Sequence, residues 1–461
     1  MSAHDHALDS DHATSMKSQP ISKLFWRYTL PAVMGMVVQG IYTLVDGIFI
    51  GHYIGAEGLA AVNLAWPVFA GVTGLGLMLG VGASALFSIE RGAERLDRAR
   101  EVLGNVFVLL PLLSIPLALL MYNWGDNGML LQSATGNVLT YGTDYLQIMA
   151  IGSFVAMAGV ALPMLIRNDE HPKLATGLMC LGAVANIFLD WLFVVVFKQG
   201  VAGAAIATLL SQGIITLIGI AHFFSSRANE RLYLRNLTLQ LRLSLQTMAT
   251  GLSSLVMFLY FSFVLIIHNR LFMEYGNVTI LAAFAIIGYI QGFYYMFAEG
   301  VGHGMQPLVS YNKGAGNNKN IRDALMLATK VVVGSCLVAQ VLLFAFPEVV
   351  ALVFTTDQAL VEATAIGIRL HLFTMFLDGF IMVAACYFQA LAKAHLATFI
   401  ALGNMLVQLP LLYFLPKWIG VTGVWISMPV SNIFLASVVI GFIWLDLRER
   451  KIDPEKLHQA A

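Results

Sequence analysis

Long apolar runs dominate the chain, and short polar or basic stretches separate them at nearly regular intervals. The apolar stretches fall at 24–52, 58–88, 101–123, 137–164, 171–197, 200–224, 243–273, 279–311, 322–346, 360–390, 394–417 and 420–446. As a helix, a run of about 20 apolar residues crosses a hydrocarbon core of about 30 Å. A helix also satisfies its own backbone polar groups in lipid. The pattern predicts an all-α polytopic membrane protein with twelve transmembrane helices. Composition points the same way. The 461 residues are 58% hydrophobic and 11% charged, with a mean hydropathy of +0.77; soluble domains are about half apolar and about a quarter charged.

Formal net charge is zero, so nothing global points to nucleic acid or another anionic partner. The placement of charge says more. If the N-terminus is cytoplasmic, 22 of the 26 Lys and Arg residues fall on the cytoplasmic side. They include Arg91, Arg95, Arg98 and Arg100 after span two, and Arg227, Arg231, Arg235 and Arg242 after span six. Lys198, Arg270, Arg369 and Lys417 face the other way. Positive residues favour the cytoplasmic face, so both termini are expected inside and the span count even. Cys180, Cys336 and Cys386 lie in apolar runs and read as buried filler rather than a disulfide. No cleavable signal is evident. The arm with His4, Asp5, His6, Asp9, Asp11 and His12 reads as a solvated tail whose side chains bind metal at most weakly.

The sequence also repeats itself. At a shift of 222 residues, Leu59-Ala60-Ala61 meets Leu281-Ala282-Ala283, and Gly80 and Gly82 meet Gly302 and Gly304. Ser88, Gly92 and Ala93 meet Ser310, Gly314 and Ala315, and Leu174-Ala175-Thr176 meets Leu396-Ala397-Thr398. Near the end of each half the shift becomes 220, where Gly200, Gly203 and Ser211 meet Gly420, Gly423 and Ser431. Two pseudo-symmetric lobes of six helices follow. The expected order is a cytoplasmic arm (1–21), an N-lobe (22–224), a cytoplasmic linker (225–242), a C-lobe (243–446) and a cytoplasmic tail (447–461). An even number of spans per repeat gives the lobes one orientation, an arrangement that recurs in secondary transporters with sites near the midplane.

Ionisable residues inside the membrane cost about 2.5–3.5 kcal/mol on insertion scales and mark functional sites. Span one carries Asp46, with Tyr42 and Gln39 four and seven residues earlier on one helical face. Span five carries Asn186 and Asp190 one turn apart, and span six carries Thr208. Converged, these groups form an oxygen-rich pocket suited to H⁺ or to a hard cation such as Na⁺. The repeat does not copy them: Asp46 meets His268 and Asp190 meets Leu412. Glu299 and Asp378 read as cavity carboxylates for a cationic substrate, or as structural partners of a hydroxyl or of His303 or His371. His268, near the outer end of its span beside Arg270, is expected at the interface. Pro31 removes a hydrogen bond early in span one and permits a helix bend.

In order and spacing, several stretches resemble the multidrug and toxic compound extrusion (MATE) family over about residues 22–446. They are Leu30-Pro31, Val45-Asp46-Gly47-Ile48-Phe49-Ile50-Gly51, Arg167-Asn168-Asp169 with Pro172-Lys173-Leu174-Ala175, Asn186-Ile187-Phe188-Leu189-Asp190, Gln306-Pro307-Leu308-Val309-Ser310-Tyr311-Asn312 and Gly314-Ala315. The Arg-Asn-Asp stretch is similar to the MepA-like bacterial branch. The resemblance implies export of organic cations and amphipathic drugs across the inner (plasma) membrane, driven by H⁺ or Na⁺, by a monomer with no cofactor. It implies an N-lobe cation pocket of Asp46, Asp190, Gln39, Tyr42, Asn186 and Thr208, with any bound Na⁺ at Asp46 and Asp190. It also implies a bend at Pro31. Asp378 resembles a C-lobe aspartate of NorM-type members, but the glutamate of their span seven is replaced by Phe261 or its neighbour Tyr260. Other cargoes are a specific metabolite or a lipid-linked precursor; the second would call for Arg or Lys in a cavity whose mid-membrane charges here are mostly acidic. No phosphate loop, His-Glu metal helix or nucleophile elbow marks an enzyme.

Overall fold

The computed structural model describes residues 15–132 and 134–452, without the side chains of residues 15, 56, 261, 262 and 452. The acidic and histidine-rich positions 4–12 and the tail beyond residue 452 lie outside the described residues, together with the expectations attached to them. Among the described residues the chain is helical, with no strand.

Every predicted span is present. The first half holds α1 (Ile21–Tyr53), α2 (Ala56–Gly92), α3 (Leu96–Leu130), α4a and α4b (Gly136–Ile151 and Ser153–Asn168), α5 (Pro172–Asp190) and α6 (Gly200–Phe224). The second holds α7 (Leu241–Tyr275), α8 (Val278–Gly314), α9 (Asn318–Ala345), α10a and α10b (Gln358–His371 and Met375–Ala390), α11 (Ala394–Ile419) and α12 (Val421–Ile452). Spans four and ten are not straight: their halves meet at 62° and 51°. A break in a buried helix exposes backbone carbonyls that need partners. At the second break Gln340 of α9 supplies one, donating to the Phe373 carbonyl at 2.6 Å. At the first, the Ser153 hydroxyl turns back onto the Met149 carbonyl at 3.3 Å, a bond that tends to bend helices.

Each half builds its own apolar core. One cluster runs from Ala65 to Leu232, the other from Phe272 to Val439. The second core also takes in Leu24, Phe25 and Tyr28 from the start of α1, while Leu243 and Met248 from the start of α7 pack on the first. Leu119, Leu217, Val341 and Ile440 instead point outwards, more than half exposed, as a lipid-facing surface demands. Trp124, Trp418 and Trp444 are also exposed near helix ends, where interfacial aromatics collect.

Glycines set how the halves meet. A Cβ on Gly92 would lie 1.9 Å from the Tyr311 carbonyl oxygen, and one on Gly314 would lie 1.9 Å from that of Ile89. Residues 89 and 311, like 92 and 314, are related by the 222-residue shift, so α2 and α8 cross as mirror partners in the repeat. The other two crossings follow the same rule. Gly300 and Gly304 of α8 lie against the Val33 and Thr29 backbone of α1, and Gly251 of α7 and Gly82 of α2 lie against each other's helix at Met78 and Thr247. A short helix, Ser15–Ser18, sits beside the α2–α8 crossing, with Met16 buried and Lys17 paired with Glu94.

Candidate ion and substrate site

The first half brings two carboxylates together from different helices. Asp46 projects from α1 and Asp190 ends the regular part of α5, within electrostatic range of each other and of Tyr42. Directly after Asp190 the helix widens into a π turn, Trp191–Val196, a local unwinding that recurs at functional sites. Asp190 is fully buried and Asn186, one turn earlier, is 1% exposed. Neither oxygen of Asp190, neither amide atom of Asn186 and not the buried Oδ1 of Asp46 has a hydrogen-bond partner among the described residues. Buried polar groups normally have one. Five such atoms lie on these three neighbouring side chains, and three of the five are carboxylate oxygens.

Tyr145 of α4a belongs to the same group. It is 6% exposed and lies within electrostatic range of Asp46, Tyr42 and Asp190. Sequence reasoning missed it, because a tyrosine in an apolar run gives no signal until α4 bends it inwards. Thr208 lies one turn beyond Ala204, which packs with Ile50 and Val194 beside the π turn. It therefore shares that face of α6, and its own carbonyl accepts the Ser211 hydroxyl. Gln39 is half-buried and makes no side-chain hydrogen bond to the carboxylates among the described residues; the adjacent Gly40 faces Met296 of α8. Helix α1 continues unbroken through Pro31, whose carbonyl accepts the Thr176 hydroxyl of α5 at 2.7 Å.

In the second half the corresponding positions carry no carboxylate, although His268 Nε2 and Gln408 Nε2 are also buried without a hydrogen-bond partner among the described residues. Gln408, which the repeat places opposite Asn186, accepts the Tyr260 hydroxyl, and Leu412, opposite Asp190, is buried. His268, opposite Asp46, is not interfacial as its neighbour Arg270 suggests. It is 1% exposed and stacks 5.3 Å from Phe284, in an aromatic cluster with Phe272, His371 and Trp425. The helix turns it inwards, where four rings exclude water. Asp378 is buried with Asn432, Gln291 and Tyr295 as hydrogen-bond partners. Glu299 lies 3.9 Å from His303 and near Cys386, two turns along α10b from Asp378. Glu299 and Asp378 thus have different immediate partners.

The repeat is visible outside this chain as well. The MatE family model matches twice, over residues 31–192 and 253–414, and the two matches begin and end 222 residues apart. The chain belongs to the MatE family. Curated relatives include the multidrug export protein MepA of Staphylococcus aureus (strain MRSA252), 24% identical over 94% of this chain and 96% of that protein. The corresponding protein of Staphylococcus haemolyticus (strain JCSC1435) is 25% identical over 93% and 94%. Among solved structures, a multidrug resistance MATE transporter of the MOP superfamily in an outward-facing conformation superposes with a TM-score of 0.88 at 24% identity, covering 95% of this chain and 98% of that one. A MATE structure in the bent conformation gives 0.89, covering 96% and 99%. The fold is the twelve-helix, two-lobed MATE fold, and a MatE protein is a membrane transporter rather than an enzyme.

In this MatE chain the Arg-Asn-Asp stretch closes α4b. Asn168 accepts the Ser88 hydroxyl at 2.7 Å, and Arg91 donates to the Asn168 carbonyl at 3.0 Å and pairs with Glu170 at 2.9 Å. Asp169 accepts from the backbone amides of Asn229 and Glu230, which lie between the halves. Burial alone would raise its carboxyl, but His171, His222 and Arg91 hold it below the usual carboxylate range. Arg167 is buried and forms no ion pair among the described residues; its charge faces His303 of the other half.

Proposed function

We propose that this transporter exports organic cations and amphipathic drugs across the plasma membrane by exchanging them for H⁺ or Na⁺, with both of its termini in the cytoplasm. The ion binds at Asp46 and Asp190, with Asn186 and Tyr42 beside them and Tyr145 closing the pocket. The observation that carries this reading is the set of buried, unpartnered polar atoms on Asp190, Asn186 and Asp46. A bound cation gives the oxygens among them the partner that the protein does not, and a proton satisfies the carboxylates in the same way. Drug export is what the curated relatives are named for, and the acidic character of the pocket suits cationic cargo. Gln39 and Thr208 complete its lining, Pro31 gives α1 its point of flexure, and Glu299 and Asp378 belong to the second half's share of the cavity.

The cycle is alternating access. With the cavity open outwards, an ion enters at Asp46 and Asp190 and drug leaves. The lobes then rock about the α2–α8 crossing, the ion is released inside and drug loads. The energy suffices. One charge crossing 100 mV supplies about 2.3 kcal/mol, and a tenfold ion gradient adds about 1.4 kcal/mol. Together they sustain a gradient of about 400-fold for a neutral drug. A charged drug moves against the field, so its ratio is lower unless more than one ion is exchanged.

The test is efflux of a fluorescent organic cation from liposomes holding the purified protein, with Na⁺ and pH gradients imposed separately. Export driven by one of them and lost in Asp46→Asn is the expected result. Export by Asp46→Asn at the parental rate would remove the carboxylate from the mechanism.

A further inference from the structure

A second cluster of chemically active side chains lies outside the membrane pocket, where the chain leaves the first half. The loop between α4b and α5 carries Asp169 and His171, and the last turn of α6 carries His222. His222 Nε2 is 3.1 Å from Asp169 Oδ2, and His171 Nδ1 is 3.4 Å from the same oxygen. All three donor atoms lie within 4.8 Å of one another. In a tetrahedral zinc site with bonds of about 2.0–2.2 Å, ligand atoms stand about 3.3–3.5 Å apart, so the two spacings to Asp169 are already near those of a coordination shell. Asp169 is fully buried and His222 nearly so, while the His171 side chain is 27% exposed and gives access from solvent.

The surroundings hold the carboxylate as the outer shell of a metal site would. Its Oδ1 accepts from the Glu230 amide at 3.1 Å and its Oδ2 from the Asn229 amide at 3.0 Å. The Asn229 side chain ties down the Asp169 carbonyl at 2.6 Å. Such contacts orient metal ligands and are costly to remove. The nearby carboxylates are committed elsewhere: Glu170 to Arg91, and Glu230 to Arg91 and Arg100. With neutral imidazoles, these three carboxylates and two guanidiniums leave one net negative charge, which favours a cation.

We propose that Asp169, His171 and His222 form a binding site for one divalent transition-metal ion of the Zn²⁺ class, with water completing the shell. Two imidazoles and one carboxylate suit borderline ions such as Zn²⁺ and Co²⁺, whereas Mg²⁺ and Ca²⁺ prefer all-oxygen shells. Without metal, His171 Nδ1 sits 2.7 Å from the Asp169 carbonyl and His222 Nε2 faces the carboxylate, each sharing a proton with its partner. On binding, each of these nitrogens offers its lone pair and the proton moves to the other nitrogen of its ring. The ion then ties together the ends of α4b and α6. Through Asn229 and Glu230 it also grips the stretch leading to the second half. The site is separate from Asp46 and Asp190 and does not depend on what the protein transports.

The full chain, freed of any affinity tag and kept in detergent at mildly alkaline pH, is titrated with Co²⁺ and followed by its visible ligand-field absorption. Zn²⁺ is followed by its shift of thermal unfolding. His4, His6 and His12 are a rival source of ligands, so the triple variant His4→Ala, His6→Ala, His12→Ala is measured beside the parent. The expected result is one Co²⁺ per chain in both proteins, displaced by Zn²⁺ but not by excess Mg²⁺. Affinity should be at least about tenfold weaker in His171→Asn, the loss typical of disturbing even outer-shell partners. His171→Cys should add a thiolate-to-cobalt charge-transfer band, a signature that a purely structural role for His171 would not produce. Absence of saturable Co²⁺ absorption from the parent would overturn the proposal. So would a signal that vanishes with the arm histidines and survives in His171→Asn.

Discussion

The two halves of this molecule share one backbone plan and use it in opposite ways. In the first half, α1 and α5 carry Asp46, Asn186 and Asp190 into a buried space and leave their polar atoms without protein partners. In the second half, α7 and α11 carry His268, Gln408 and Leu412 to the corresponding places; aromatic rings surround the histidine, Tyr260 engages only the amide oxygen of the glutamine, and the leucine is simply packed, so no carboxylate stands there. Even the second half's own buried acid, Asp378, has Asn432, Gln291 and Tyr295 around it. Both halves leave buried polar atoms unmet at these places, but in the first half they include carboxylate oxygens and in the second only an imidazole nitrogen and an amide nitrogen. The duplicated scaffold therefore supplies position, and the unpaired carboxylates supply function. An unpaired buried carboxylate destabilises the resting protein and is retained where binding depends on it.

The contrast predicts opposite responses to the same kind of substitution. Asp190→Asn should lower gradient-driven export at least about tenfold, the factor carried by 1.4 kcal/mol of ion binding. Its unfolding temperature should stay level or rise, because a costly buried charge is removed; a clear fall would place Asp190 with the structural acids. Gly92→Ala and Gly314→Ala, whose new methyl groups would meet backbone at 1.9 Å, should each cost about 1–3 kcal/mol of stability, the usual range for overpacking. If the repeat governs this crossing, the two losses should match. Asp378→Asn should lower stability by about 1–2 kcal/mol, as expected for weakened hydrogen bonds to a charge. Its choice of driving ion should remain parental, and a changed ion preference would move coupling into the second half. Smallest is Tyr145→Phe, which keeps the ring and removes the hydroxyl. A two- to threefold change in the ion concentration needed for half-maximal export, worth about 0.5 kcal/mol, would confirm that its hydroxyl faces the ion.

Much of this was legible in the sequence, for definite reasons. Apolar length is a strong signal in lipid, and it located all twelve spans. The offset of 222 residues foretold that Gly92 and Gly314 are equivalent, though not that each rests on the other's helix. Asp46, Asn186 and Asp190 stood out because polar residues are conspicuous in apolar runs. Tyr145 did not, since an aromatic ring suits the membrane as well as a pocket. Hydropathy carries no signal for bends, so the breaks in spans four and ten were invisible. The inference about His268 failed because position along a span does not tell which way a side chain faces. Glu299 and Asp378 stood out in the same way, as acids within apolar spans, but the sequence could not show that one has His303 beside it and the other Asn432, Gln291 and Tyr295.

The most direct test of the central claim compares three proteins in one assay: the parent, Asp190→Asn and Asp378→Asn, reconstituted in liposomes. Export of a fluorescent organic cation is followed under whichever single gradient, Na⁺ or H⁺, drives the parent. If the first half carries the ion, Asp190→Asn loses its response to that gradient, while Asp378→Asn keeps it with the parental dependence on ion concentration. Retention of coupling in Asp190→Asn together with its loss in Asp378→Asn would contradict the account and assign the ion to the second half.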